Sequence, residues 1–312
     1  MNVTDFSMIT FTVLAQMSVG AFVVLGVVHL TARARGRSAE EVDRLTDPVL
    51  YAIGVTLVLG LLASLLHLGN PANVFNVILN VGTSWLSNEI AFGIGFAALG
   101  FAFAASQWFK VGSANLRQAL AGLTALVGLG LVFSMSMIYY TLAAVPAWNT
   151  WTTPVQFFTT TFLLGSLAVG TALMSTVMWR RRQALAHGEE VSSDPQEMQL
   201  LTTSLKGIAI ASVALLGIHF VVTPLHLAGL STGDATAAQS VAAYSSGWLA
   251  VWLSLVFIGA GLLAVFVYRF ATLAREDPTR LAAVATIAFA FVLAGEFVGR
   301  SLFYESFTLV GM

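Results

Sequence analysis

Hydrophobic positions gather into eight long runs along this chain, each close to the roughly 20 residues that a helix needs to cross a bilayer. The runs lie at about 8–32, 48–68, 86–109, 116–140, 155–179, 205–228, 247–270 and 280–303. The connections between them are short, the longest running from Arg180 to Ser204. No polar stretch is left that could build a separate soluble domain. The pattern predicts an all-α polytopic membrane protein of eight transmembrane helices, a single membrane domain over residues 1–312. Met1 to Ser7 carries no basic residue ahead of the first run, so that run reads as a span and not as a removable leader.

The basic residues orient these spans. Arg33, Arg35, Arg37 and Arg44 lie between the first and second runs, and Lys110 and Arg117 flank the connection from third to fourth. Arg180, Arg181, Arg182 and Lys206 belong to the next such connection, and Arg269, Arg275 and Arg280 to the last. Thirteen of the fourteen Lys and Arg therefore fall on one face, and the intervening connections contain none. By the positive-inside rule that face is cytoplasmic, which puts both termini on the non-cytoplasmic side.

Local signals mark where helices begin. Asp47-Pro48, Asp194-Pro195 and Asp277-Pro278 each pair an N-capping carboxylate with a proline suited to the first turn. Glu197 adds a capping-box-like partner to Asp194, so the sixth helix is expected to begin with an extension before the membrane. Thr153-Pro154 opens the fifth span in the same way. Trp85, Trp148, Trp151 and Trp248 sit in or beside the non-cytoplasmic loops, as an interfacial aromatic belt requires.

Composition narrows the function. Of 312 residues, 57% are hydrophobic and 9% charged, against about a quarter charged in soluble domains. The net charge of −1 argues against nucleic acid as a partner. The chain has no cysteine, so it holds no iron–sulfur cluster and no thiolate metal site of its own. Any such centre would have to belong to a partner.

Of fifteen acidic residues only Glu89 and Glu296 fall inside the predicted spans, and Arg300 is the only base on the non-cytoplasmic half. Charges at such positions are costly and turn to the protein interior or a wet cavity. His67 closes the second span, Glu89 lies one turn into the third, and Glu296 and Arg300 occupy the last turns of the eighth. All four therefore stand at similar depth near the non-cytoplasmic surface. Glu296 and Arg300 are four apart and able to pair, so a structural ion pair accounts for them as well as function does. His67 and Glu89 have no obligatory countercharge nearby, and a carboxyl in an apolar wall is a candidate proton acceptor. His29, His219 and His226 raise axial haem ligation, but only His67 with His226 would match in depth on different helices. The reading is therefore of a chain without haem.

Specific motifs lie at these same residues. Leu65-Leu66-His67-Leu68-Gly69-Asn70-Pro71, then Phe75-Asn76 and Leu86-Ser87-Asn88-Glu89-Ile90, resemble the membrane-anchor subunit of bacterial dimethyl sulfoxide reductases (DmsC). Val145-Pro146-Ala147-Trp148 through Phe157-Phe158 matches in order, as does Leu293-Ala294-Gly295-Glu296 through Gly299-Arg300 to Phe303-Tyr304. The resemblance runs end to end and is weakest in the connection from fifth to sixth span.

The resemblance implies eight helices without haem, in a bacterial or archaeal cytoplasmic membrane. It implies a quinone or quinol as redox partner, menaquinol above all. An iron–sulfur subunit docked on the outer loops and a molybdopterin catalytic subunit would complete the complex. The family's quinol-site His and Glu fall on His67 and Glu89. Arg300 and Glu296 match a family motif, and Asn76, Trp85 and Tyr139 are candidates to line the quinol pocket. The same anchor could run in the quinone-reducing direction, for instance with a sulfite-oxidising partner. A small-solute transporter is the alternative outside redox chemistry.

Overall fold

In the computed structural model residues 3–67, 79–188, 195–276 and 278–309 are described. Asn76 and the Leu68–Pro71 half of the histidine motif lie outside them, as does the side chain of His67. Nine helices form among the described residues: α1 (Val3–Ala34), α2 (Ala39–His67), α3 (Trp85–Trp108), α4 (Ala114–Tyr140), α5 (Thr152–Ala186), α6 (Pro195–Ser231), α7 (Ala235–Tyr244), α8 (Trp248–Glu276) and α9 (Pro278–Glu305). Eight are long and apolar enough to cross a membrane, α7 being the short exception, and no strand occurs among the described residues. The helices outrun the apolar runs mainly on the face that carries the basic residues, called here the basic face.

Two predicted helix starts differ: α5 begins at Thr152, with Trp151 and not Thr153 at the cap, and α2 begins a full nine residues early. α2 begins at Ala39, not at Pro48, because Ser38 and Glu41 form a reciprocal capping box: each side chain accepts the other's backbone N–H at 3.2 Å. Pro48 lies inside the helix and cannot donate to the Arg44 carbonyl one turn back. The guanidinium of Arg180 donates to that carbonyl instead. Asp47, freed from capping, accepts from Gln107 at 2.9 Å and from Lys110 at 3.0 Å. By contrast α6 and α9 do start at Pro195 and Pro278.

α1 and α5 form the centre of the bundle. Of their spans 67% and 56% is buried, against 11% for α3. α2, α3 and α4 pack on one side of this pair, and α6, α8 and α9 on the other. The two central helices meet backbone to backbone at Gly20 and Gly165. A Cβ on Gly20 would stand 1.8 Å from the Thr161 carbonyl oxygen, and one on Gly165 would stand 2.1 Å from the Gly20 carbonyl carbon. Small residues at a membrane crossing permit this approach, which gains van der Waals contact where lipid offers no hydrophobic drive. The polar side chains point to the same interior: Gln16, Ser18, Thr160, Thr161 and Ser166 are all buried. Leu, Ile, Val and Phe cover the outside.

Gly20→Ala or Gly165→Ala is expected to cost about 3 kcal/mol or more, since backbone and not a movable side chain must shift. Gly217→Ala on α6, whose Cβ would meet nothing within 4 Å, serves as the neutral control. Thermal unfolding of the three purified variants in mild detergent checks the contrast.

Candidate functional site

Near the end of the bundle away from the basic residues, α3 starts on a well-fixed turn. Ser84 caps the helix through the Ser87 backbone N–H, and Asn88 Oδ1 accepts from Gly82 N at 2.7 Å. Gly82 holds φ +90°, a conformation in which a side chain would be strained. These contacts fix the first turn of α3, just ahead of Glu89. Glu89 is half-buried on the least buried of the eight spans. Among the described residues no side chain hydrogen-bonds its carboxyl. Its carboxyl lies within electrostatic range of the hydroxyls of Tyr139 on α4 and Tyr304 on α9.

Those tyrosines belong to an aromatic layer. Tyr139 Oη and Tyr304 Oη lie 3.1 Å apart, and Tyr304 Oη is 2.9 Å from Thr12 Oγ1 on α1. Phe157 and Phe303 pack on the Tyr139 ring with centroids 5.7 and 5.2 Å away. Trp148 stacks on Phe303 at 5.6 Å and donates its Nε1–H to the Phe303 carbonyl at 2.7 Å. The expectation of an interfacial belt therefore fails for Trp148, which is a buried brace for the end of α9. It fits Trp151 and Trp248, both more than half exposed. Trp85 is partly buried and meets Phe133 edge-on at 5.6 Å, which ties α3 to α4.

The charged pair of α9 lies against this layer and is almost fully buried. Arg300 and Glu296 do not form an ion pair with each other. The Arg300 guanidinium sits 3.9 Å from the centre of the Phe157 ring and donates to Gln16 Oε1 at 3.0 Å. Glu296 Oε2 accepts from Thr160 at 2.7 Å, and its Oε1 lies 3.6 Å from His219 Nε2. Each instead has partners on other helices: Gln16 of α1 and Phe157 of α5 for Arg300, Thr160 of α5 and His219 of α6 for Glu296. The His219 ring packs at a tilt against Trp252 with centres 5.4 Å apart, while His226 Nδ1 bonds Thr152 Oγ1 at 2.8 Å.

Thr160, His219, His226, Trp252, Glu296 and Arg300 line a cavity of about 40 Å³. Four buried polar atoms of its lining residues, His219 Nδ1, His226 Nε2, Trp252 Nε1 and Glu296 Oε1, have no hydrogen-bond partner among the described residues. A polar cavity of this size has room for about two or three water molecules. The described residues thus hold two polar centres: Glu89 near the tyrosine hydroxyls, and the Glu296–His219 cavity, which Phe303 helps to line. Sequence reasoning misses Gln16, Thr160 and Trp252 as parts of the second centre, and weighs His219 and His226 only as haem ligands. Their one sequence signal is polarity inside otherwise apolar spans.

The model of the DMSO reductase anchor subunit (DmsC) family matches residues 1–305. The chain belongs to that family. It is 29% identical over 308 residues to the C chain of the anaerobic dimethyl sulfoxide reductase of Escherichia coli, covering 99% of this chain and 96% of that protein. It is 28% identical over 311 residues to the anaerobic dimethyl sulfoxide reductase chain YnfH of the same organism, with 99% and 96% covered. The C subunit of the sulfite dehydrogenase of Allochromatium vinosum is 32% identical over 160 residues, covering 46% of this DmsC-family chain and 47% of that protein. The family match agrees with the end-to-end resemblance of the motifs.

Thr160→Val keeps the side-chain shape but leaves Glu296 Oε2 unbonded, and Gln16→Leu does the same to Arg300. Each is expected to cost about 1–3 kcal/mol, the usual penalty for a buried polar group left without its partner. Denaturant unfolding of the detergent-purified variants measures both.

Proposed function

We propose that this DmsC-family chain is the anchor and quinol-binding subunit of a respiratory molybdopterin oxidoreductase, and that Glu89 and His67 form its quinol site. One observation carries the reading: Glu89 is a carboxyl without a described hydrogen-bond partner, reachable from lipid on the most exposed span, with hydroxyl groups behind it. A quinol dissolved in the bilayer reaches such a group without crossing protein. His67 closes α2 at the same end of the bundle at which α3 begins. Asn76, Trp85 and Tyr139 complete the proposed pocket.

Oxidation of a hydroquinone to its quinone releases two protons and two electrons. Glu89 accepts one hydroxyl proton, and His67 hydrogen-bonds the second oxygen and takes the other proton outward. The electrons leave to an iron–sulfur subunit docked over the loops at this end, since a chain without cysteine has no thiolate to hold a cluster. A molybdopterin subunit beyond it carries the substrate reaction. Arg300 and Glu296 act from beside the Phe157–Phe303 layer, where they hold a fixed charge and a polar cavity close to the ring. Menaquinol is the proposed quinol, and the cytoplasmic membrane of a bacterium or archaeon the proposed location. The basic face is cytoplasmic by the positive-inside rule, with the termini and the quinol site on the other side. The kinship with a sulfite dehydrogenase subunit supports a second direction, in which the same site reduces quinone.

Glu89→Gln and His67→Ala are expected to lower quinol oxidation by the assembled complex about 100-fold or more, in line with loss of a positioned proton acceptor. Co-purification of the partner subunits shows that assembly is intact. Variants that assemble and turn over at the wild-type rate would place the quinol elsewhere.

A further inference from the structure

At the basic face, far from both polar centres, α1 and α4 part to leave a second and larger cavity of about 270 Å³. Its deep walls are mostly apolar, built by Phe22 and Leu25 of α1, Phe103 of α3, and the small residues Ala121 and Ala125 of α4. Two glycines border it, Gly26 and Gly122, and a Cβ on either would meet nothing within 4 Å. Helix contacts in this bundle elsewhere use glycine to bring backbones together, as at Gly20 and Gly165. Here glycine widens a gap that no described protein group fills.

The polar side chains of the inner lining, His29 and Gln107, are already bonded to Thr46 and Asp47, so water finds few free partners there. The cavity borders exposed Val27, Leu30 and Gly122, which face the hydrocarbon of the bilayer. An acyl chain is the occupant that the surrounding solvent supplies.

The mouth has a different chemistry. Arg33, in the last turn of α1, bonds Gln118 of α4 across it. Arg117, in the first turn of α4, donates to the Gly112 carbonyl at 3.0 Å and stands 4.0 Å from Asp43. Lys110 lies 3.1 Å from Asp43 and 3.0 Å from Asp47. Among the described residues three cations thus face two carboxylates, which leaves a net excess of one positive charge at the mouth. Arg117 shares Asp43 with Lys110, while Arg33 has the neutral Gln118 as its partner; the two guanidiniums flank the opening at the level of a lipid headgroup. Basic pockets between spans at a cytoplasmic face are the ordinary receptors of anionic lipids.

We propose that a phospholipid with an anionic headgroup binds between α1 and α4, one acyl chain in the apolar cavity and its phosphate at Arg33 and Arg117. The lipid would complete the packing of α1 against α4 on the basic side. The site is independent of where the quinol binds, so its test is read on lipid and not on turnover.

The assembled complex, purified in mild detergent and washed, is analysed by native mass spectrometry and by extraction of its lipids and quinones. The wild type is expected to retain one anionic phospholipid per anchor chain. The Arg33→Gln/Arg117→Gln double variant should retain it roughly 30-fold more weakly, two basic residues at their ordinary worth beside a membrane surface. Gly122→Leu, which fills the cavity without altering charge, should lose it as well and so separates a seated lipid from a loose counterion. Retention of only zwitterionic lipid or of a quinone by the wild type would overturn the proposal. Undiminished retention by the double variant would overturn it too.

Discussion

The Gly20–Gly165 crossing is the contact on which the rest of the bundle depends. Two helices come this close only where neither carries a side chain, and once there neither can slide without a backbone clash. The crossing therefore sets the register of α1 against α5. Toward the end that carries Glu89, α1 presents Gln16 and Thr12 at successive turns beyond Gly20, while α5 presents Thr161 and Phe157 beyond Gly165. Gln16 and Phe157 hold Arg300, Thr12 holds Tyr304, and Thr160, beside Thr161, holds Glu296. A shift of one helix by a single turn would strip α9 of its polar partners. Close packing near the membrane middle and the polar chemistry near its surface are one arrangement.

Buried charge is then tolerated because it is divided. Placing Arg300 and Glu296 in hydrocarbon would be costly, and a direct pair would still leave donors and acceptors unmet. The structure instead gives each its own neighbours: an amide and a ring face for the cation, a hydroxyl and an imidazole for the carboxylate. The Arg300 guanidinium lies against the Phe157 and Phe303 rings, within electrostatic range of the Tyr139 and Tyr304 hydroxyls. Glu89 lies beyond those hydroxyls on a helix that faces lipid.

Span number and type were legible in the sequence because a bilayer imposes length and apolarity on each crossing separately. Helix starts were legible only where the signal was local and uncontested. Pro195 and Pro278 begin helices, whereas Asp47-Pro48 was outcompeted by the Ser38–Glu41 capping box nine residues earlier. Glu89, Glu296 and Arg300 could be singled out because ionisable residues are rare in spans. Their partners could not, because which helix faces α9 is decided by the glycine crossing and not by anything adjacent to Arg300. For the same reason the pairing of Glu296 with Arg300, the natural inference from their spacing, gave way to partners on α5, α6 and α1. Trp148 was misjudged by position: next to the surface in sequence, it folds inward because its Nε1–H has a carbonyl to meet on α9.

The central position of α1 also bears on how the protein is made. α1 is synthesised first, yet its polar face is completed by groups that come later. Ser18 bonds Thr56 of α2, Gln16 waits for Arg300 and Thr12 for Tyr304, both of the last span. Until α9 has entered the membrane, the innermost helix carries unanswered polar groups, and the cleft beside it stays open to lipid. The chain thus cannot close from its beginning. A nascent or truncated protein differs from a finished one at its centre, which gives insertion and quality-control machinery a physical mark by which to tell them apart.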